Sequence, residues 1–212
     1  MSSIEVKVVI FDFGGVVFQV VGLPQVMGSV RTVSKFPQFA NVLAKLETGE
    51  LTTQHLKTLK ETLKTESEDV GKLEKEMSKV SESLMDQFAP DETVFAAIRA
   101  LRAKGFKTAL LTNNMWVNEE RTKSMMMDEP EKMFDFVVES CRVGLRKPDK
   151  KIFELTVGKV GVAADECVFL DDLVENCEGA EAVGIRAIHV DHTNTRKAIE
   201  KLEEMIGCNL IE

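Results

Sequence analysis

Three short apolar runs, each closed by a polar residue, limit what this chain can fold into. Val8-Val9-Ile10-Phe11 is closed by Asp12, Ala109-Leu110-Leu111 by Thr112, and Val168-Phe169-Leu170 by Asp171 and Asp172. Unbroken apolar runs of this length read as strands buried on both faces, as in a parallel sheet. Here they alternate with helical periods, so helices are expected to cover both faces. In an open α/β sheet, ligands bind beyond the carboxyl ends of the strands. Two acid-bearing strand ends, one hydroxyl-bearing end and the loop Arg146-Lys147-Pro148-Asp149 are therefore expected to converge. Acids with one lysine suit a metal ion and a phosphate.

The patterning predicts strands over 5–11, 107–111, 134–139, 166–170 and 186–190. It predicts helices over 92–104, 117–127, 148–160, 175–183 and 198–206, with Asp91 capping the first. After the first strand, Gly14-Gly15 forces a tight turn, and the pattern then becomes helical. Its apolar positions include Val42, Leu43 and Leu46, then Leu56, Leu59 and Leu63, then Leu73, Met77, Val80 and Leu84. The expected fold class is α/β: a Rossmann-like parallel sheet of five or more strands, helices on both faces, and a small inserted helical cap. The core would comprise residues 1–18 and 89–212, and the cap residues 19–88.

Composition excludes several partners. With 212 residues and 44% apolar content, the chain can bury one ordinary core. A net charge of −8 argues against nucleic acid and anionic membrane surfaces. Having no Tyr and one Trp leaves few stacking platforms for single strands. Cys141, Cys167, Cys177 and Cys208 form no CxxC pair, so a zinc site is not expected, and four free thiols suit a reducing, cytoplasmic setting. Asp12 and two glycines break the apolar start of the chain well short of a membrane span, and no cleavage-site pattern follows it. Nothing in the pattern sets an oligomeric state.

A carboxylate such as Asp12 can attack phosphorus, and Mg²⁺ and Lys147 could neutralise the phosphate oxygens. Four segments now carry a resemblance: Phe11-Asp12-Phe13-Gly14-Gly15-Val16, Leu111-Thr112-Asn113-Asn114, Arg146-Lys147-Pro148-Asp149 and Phe169-Leu170-Asp171-Asp172. In this order the chain resembles haloacid dehalogenase-like hydrolases, over nearly its whole length. With Met115-Trp116, the 134–141 segment and Asn176, it resembles in particular the N-terminal phosphatase domain of bifunctional epoxide hydrolases. The N-terminal domain of acyl-CoA dehydrogenase family member 10 proteins is similar too. Ending at Glu212, the chain is expected to lack the second catalytic domain of both.

The resemblance implies Asp12 as nucleophile and Mg²⁺ ligand, with the Gly14 carbonyl as a second ligand. It implies Asp172 as the direct ligand of the acid pair and Asp171 as its close partner. Thr112 and Asn113 would bind phosphate, Lys147 would stabilise the phosphorylated state, and Trp116 could line the substrate mouth. The implied substrate is a small phosphorylated molecule, with lipid phosphates among the candidates. Gly14 departs from the pattern, because active phosphatases of this kind usually carry there a second Asp that shuttles protons. Loss of a general acid–base costs about 10²–10⁴-fold in rate. A slow phosphatase is therefore expected, with a silent Mg²⁺- or phosphate-binding domain as the alternative. Hydrolytic dehalogenation, which needs no metal, has little use for the Asp171-Asp172 pair.

For each residue a plainer role competes. Asp12, Asp171 and Asp172 could cap helices, but adjacent acids at a buried strand end are costly without a cation. Lys147 could be a surface loop lysine, Trp116 half-buried packing, and Asn176 an ordinary helix residue.

Overall fold

The computed structural model describes residues 5–20, 37–55, 88–125, 127 and 129–211. Its central strand is β1 (Val8–Phe11), buried along its whole length. Parallel neighbours flank it on both sides: β4 (Lys107–Thr112) and β6 (Cys167–Asp171). Outside these lie β5 (Phe136–Glu139) and β7 (Arg186–His189), giving the order β5-β4-β1-β6-β7. The chain builds outward on one side of β1, then returns to build on the other. The crevice between β1 and β6 is thus the topological switch point of the sheet.

Alternation along the strands divides the core. Val9 and Phe11 of β1, Leu110 of β4, and Val168 and Leu170 of β6 pack on one face. They meet Val94, Ala97, Ile98 and Leu101 of α2 (Glu92–Ala103), and Ala198, Ile199 and Leu202 of α6 (Thr195–Ile206). Val8, Ile10, Ala109, Leu111, Cys167 and Phe169 point to the other face. There they meet Ile152 and Phe153 of α4 (Lys150–Val160) and Ala180 of α5 (Val174–Glu181). Burial on both faces explains why the runs Val8–Phe11, Ala109–Leu111 and Cys167–Leu170 are apolar at every position.

Helix starts follow capping chemistry. Asp91 accepts from the Val94 N–H at 3.0 Å and opens α2. Asp149, rather than Pro148, opens α4 by accepting from the Lys151 N–H at 3.0 Å. A four-residue helix, α3 (Ser140–Val143), follows β5 directly. A small antiparallel ribbon pairs β2 (Phe18–Val20) with β3 (Phe88–Pro90) where the chain leaves and re-enters the core. From the intervening stretch, α1 (Pro37–Glu47) and residues 48–55 are described. The expected helical positions from Leu56 to Leu84 all lie outside the described residues.

The helix expected over 117–127 is not formed among the described residues of that range, 117–125 and 127. Instead the Asn118 side chain accepts from the N–H groups of Thr122 (3.1 Å) and Lys123 (3.0 Å). Arg121 adopts a left-handed backbone with φ 53°, and Val117 N–H donates to Lys123 O at 2.8 Å. An Asn that bonds its own downstream backbone offers the chain a turn in place of a helix, and the turn prevails here.

Candidate active site

Strand register brings the expected residues together. Phe11 stands between Leu110 and Leu170, so Asp12, the next residue, emerges between the ends of β4 and β6. Its N–H donates to Leu170 O at 2.9 Å. Lys147 reaches the same point from the loop between α3 and α4, and only 1% of it is exposed. Its Nζ lies 2.8 Å from Asp12 Oδ1 and 2.6 Å from Asp171 Oδ2, and it donates to Leu111 O at 3.1 Å. One ammonium thus ties together the ends of β1, β4 and β6.

The two adjacent acids differ in their surroundings. Asp171 is fully buried, and its Oδ1 accepts from the Leu173 N–H at 2.8 Å. The Asn176 amide donates to both of its oxygens, at 3.0 and 3.1 Å. Asp172 is partly exposed and lies against the turn after β1, where Gly15 has φ +77°. A Cβ built on Gly15 would stand 2.5 Å from Asp172 Oδ2, so the close approach requires glycine. Asp12, Asp171 and Asp172 each offer an oxygen, all within 4.8 Å of one another.

The electrostatics call for a cation. Burial pushes the Asp12 carboxyl up to about 7; Lys147 opposes the rise and Asp171 adds to it. Burial, then Asp171, pushes Asp172 up to about 6. Burial acts to lower the Lys147 ammonium, but Asp12 and Asp171 outweigh it and hold it above the ordinary lysine range. Three carboxylates around one ammonium leave surplus negative charge, and an all-oxygen donor set suits a hard divalent cation. The residues present therefore fit such an ion.

The remaining expected residues take varied positions. Thr112 ends β4 at 4% exposure, its hydroxyl donating to Asn113 O at 3.4 Å. Gly14 lies two residues after Asp12 and bridges to Phe18. Asn113, expected to bind phosphate, uses its side chain differently. Its Nδ2 donates to Lys147 O at 3.0 Å, and its Oδ1 accepts from the Lys147 N–H at 2.8 Å, so the amide clamps the lysine backbone. Trp116, expected at the substrate mouth, is 6% exposed. Its Nε1 donates to Cys141 O at 3.0 Å and the Arg142 guanidinium covers its ring, which makes it a structural rivet.

Sequence reasoning left Asn176 undecided and missed two further supports. Asn114 donates to the buried Glu139 at 2.8 Å, bracing the turn after Thr112. Glu47, at the end of α1, accepts from Arg146 Nε at 2.5 Å. The signal for Asn176 was its position one turn into the helix that follows the acid pair. The other two join residues far apart in sequence, and no local spacing marks them.

Comparison with known proteins agrees with this geometry. The sequence matches the haloacid dehalogenase-like hydrolase family over residues 6–184. It is 35% identical over 171 residues to acyl-CoA dehydrogenase family member 10 of Mus musculus, covering 76% of this chain and 15% of that protein. It is 31% identical over 177 residues to bifunctional epoxide hydrolase 2 of Sus scrofa, covering 80% of this chain and 31% of that protein. The chain therefore spans well under half the length of these two relatives. A sesquiterpene phosphatase of Aspergillus oryzae is 28% identical over 119 residues, covering 56% of this chain and 59% of that protein. In fold, the chain is similar to a HAD family enzyme of Bacteroides thetaiotaomicron solved with magnesium and inorganic phosphate. The TM-score is 0.61 at 16% identity, covering 89% of this chain and 96% of that one. Four motifs in order, a parallel sheet with its acids at the switch point, and a family match over most of the chain lead to one conclusion: this chain belongs to the haloacid dehalogenase-like hydrolases.

Proposed function

We propose that this chain is a Mg²⁺-dependent phosphatase acting on small phosphorylated substrates through an aspartyl-phosphate on Asp12. The observation that carries the reading is the buried cluster in which Lys147 bridges Asp12 and Asp171, with an Asp172 oxygen within 4.8 Å of theirs. Asp12, Asp172 and the Gly14 carbonyl would hold Mg²⁺, with Asp171 as the buried partner. When bound, the ion neutralises charge on the phosphate oxygens. Magnesium and phosphate in the similar Bacteroides enzyme, and the phosphatase name of the Aspergillus relative, support this reading.

In the first step an Asp12 carboxylate oxygen bonds to phosphorus, and the bond from phosphorus to the leaving oxygen breaks. Lys147 stays protonated beside both Asp12 and the incoming phosphate, and the Thr112 hydroxyl donates to a phosphate oxygen. Gly14 offers no proton, so the leaving oxygen takes one from solvent. Water then attacks the aspartyl-phosphate, releasing phosphate and restoring the Asp12 carboxylate. Without a general acid–base this cycle is slow, and it favours leaving groups that depart unaided, such as acyl, anomeric or aryl oxygens.

Residues 19–88 form the helical cap in this reading, closing over the strand ends of the 1–18 and 89–212 core and setting specificity. Likeness to epoxide hydrolase 2 and a sesquiterpene phosphatase makes lipid phosphates worth including among the substrates. A cytoplasmic setting suits the free thiols at Cys141, Cys167, Cys177 and Cys208. Among the described residues, no helix is long and apolar enough to cross a membrane.

Gly14 itself favours a second reading, a Mg²⁺- or phosphate-ligand-binding domain without turnover. Phosphate release from aryl, acyl, sugar and lipid phosphates, with Mg²⁺ or a chelator and Asp12→Asn as blank, separates the two. Release that needs both Mg²⁺ and Asp12 supports the phosphatase. Mg²⁺ binding with no release above the blank supports the binding domain.

A further inference from the structure

Lys147 sits in a loop without regular structure, yet its ammonium must meet two carboxylates at hydrogen-bond distance. A lysine side chain is long and freely rotating, so the placement of its backbone decides where the charge falls. Asn113 holds that backbone from the β4 side. A second tie comes from the inserted segment, where Glu47 accepts from Arg146, the residue before the lysine, across 99 positions of sequence.

Glu47 has no local reason to be where it is. It ends α1, where a carboxylate meets the negative end of the helix dipole. Its side chain is only 12% exposed, which disfavours the charge further. Both costs are opposed chiefly by the Arg146 guanidinium and then by the Lys147 ammonium.

The ground behind Glu47 is also firm. Gly49 has φ +75° and lies so close to α3 that a Cβ there would stand 2.3 Å from Cys141 O. Thr52 is fully buried. The Thr53 N–H donates to Trp116 O at 2.8 Å, and its hydroxyl donates to Val117 O at 3.0 Å. Arg121 Nη2 donates to Glu50 O at 3.3 Å. Residues 47–53 are thus bolted to the turn after β4, and they give Glu47 a fixed base from which to hold Arg146.

We propose that Glu47 is a positioning residue for Lys147: from the inserted segment, through Arg146, it fixes the loop that delivers the phosphate-stabilising charge. The inference rests on the reading of Lys147 given above. It adds that the inserted segment helps to build the catalytic centre as well as to cover it.

The test uses Glu47→Gln and Arg146→Gln, two variants that break the same contact from opposite ends. Brief acetic anhydride treatment of the full chain, followed by mass spectrometry, reads the accessibility of each lysine amine. Lys7 and Lys107, with 51% and 61% of their side chains exposed, are internal references. Both variants are expected to speed Lys147 acetylation about 5- to 10-fold while the references stay unchanged, because reaction of a buried amine follows local opening. In parallel, kcat for acetyl phosphate is expected to fall about 10-fold with Mg²⁺ affinity retained, a loss of about 1.4 kcal/mol in transition-state stabilisation. Lys147 as protected as in the wild type in either variant overturns the proposal. A rise at Lys147 matched by Lys7 and Lys107 also overturns it, since that reports general loosening. If the wild type releases no phosphate, the phosphatase reading fails, and the acetylation pattern still decides the role of Glu47.

Discussion

Replacing Gly15 with alanine tests whether Asp172 is a metal ligand. Two separable costs follow from the geometry. Gly15 has φ +77°, a left-handed backbone that costs an L-residue about 1–2 kcal/mol. The new Cβ would also stand 2.5 Å from Asp172 Oδ2 and 2.6 Å from its Cγ. Relaxed carbon contacts begin near ~3.5 Å, so the carboxylate must retreat by about 1 Å. It can do so by swinging, which keeps the fold. Metal–ligand distances tolerate only about 0.2 Å, however, so Asp172 would leave the ligand set.

Gly161→Ala isolates the first cost. That residue has φ +72°, and nothing lies within 4 Å of its virtual Cβ. In chelator both variants should lose similar stability, about 2–8 °C in Tm for a chain of this size. With Mg²⁺ they should part: Gly161→Ala keeps the wild-type rise in Tm, and Gly15→Ala loses most of it. Titration calorimetry should show Mg²⁺ affinity down at least ~10-fold in Gly15→Ala alone. Wild-type affinity in Gly15→Ala, or equal losses in both variants, would refute the reasoning.

Three further outcomes follow. Lys147→Met leaves Asp12 and Asp171 buried without their ammonium; a destabilisation of about 3–5 kcal/mol in chelator and loss of phosphate release are expected, and a cost under ~1 kcal/mol in urea titrations would contradict the pairing. In chelator, Asp12 and Asp172 ionise near 7 and 6 when folded but near ~4 when unfolded, so the folded state binds more protons and stability falls as pH rises through that window. Mg²⁺ binds the ionised carboxylates, so the Mg²⁺-induced rise in Tm should be larger at pH 8 than at pH 5; an equal rise at both would count against the raised carboxyls. Gly14→Asp restores a proton donor at a position outside the left-handed glycines, and steady-state phosphate release should rise by about 10²–10⁴-fold; no gain from a folded variant would argue that proton transfer does not limit turnover.

The sheet was legible because its strands are buried on both faces, which forces unbroken apolar runs such as 8–11 and 167–170. Site positions at the strand ends were legible for the same reason, since a polar residue closing such a run must face the crevice. Side-chain roles were less so. Nothing in Thr112-Asn113-Asn114 says that Asn113 clamps the Lys147 backbone, because that depends on a loop 34 residues away. Asn118 misled the reading of 117–127: its side chain outcompetes the helix only when Lys123 and Thr122 fold back onto it. The β2–β3 ribbon escaped notice because three-residue strands that pair across the insertion have no local periodicity.

Trapping the phosphorylated protein tests the central claim most directly. The chain would be mixed with acetyl phosphate and Mg²⁺, quenched in acid, and its peptides analysed by mass spectrometry. A phosphoryl adduct on Asp12, absent with chelator and absent in Asp12→Asn, is the predicted result. Phosphate release with no adduct on Asp12, or release undiminished in Asp12→Asn, would contradict the account.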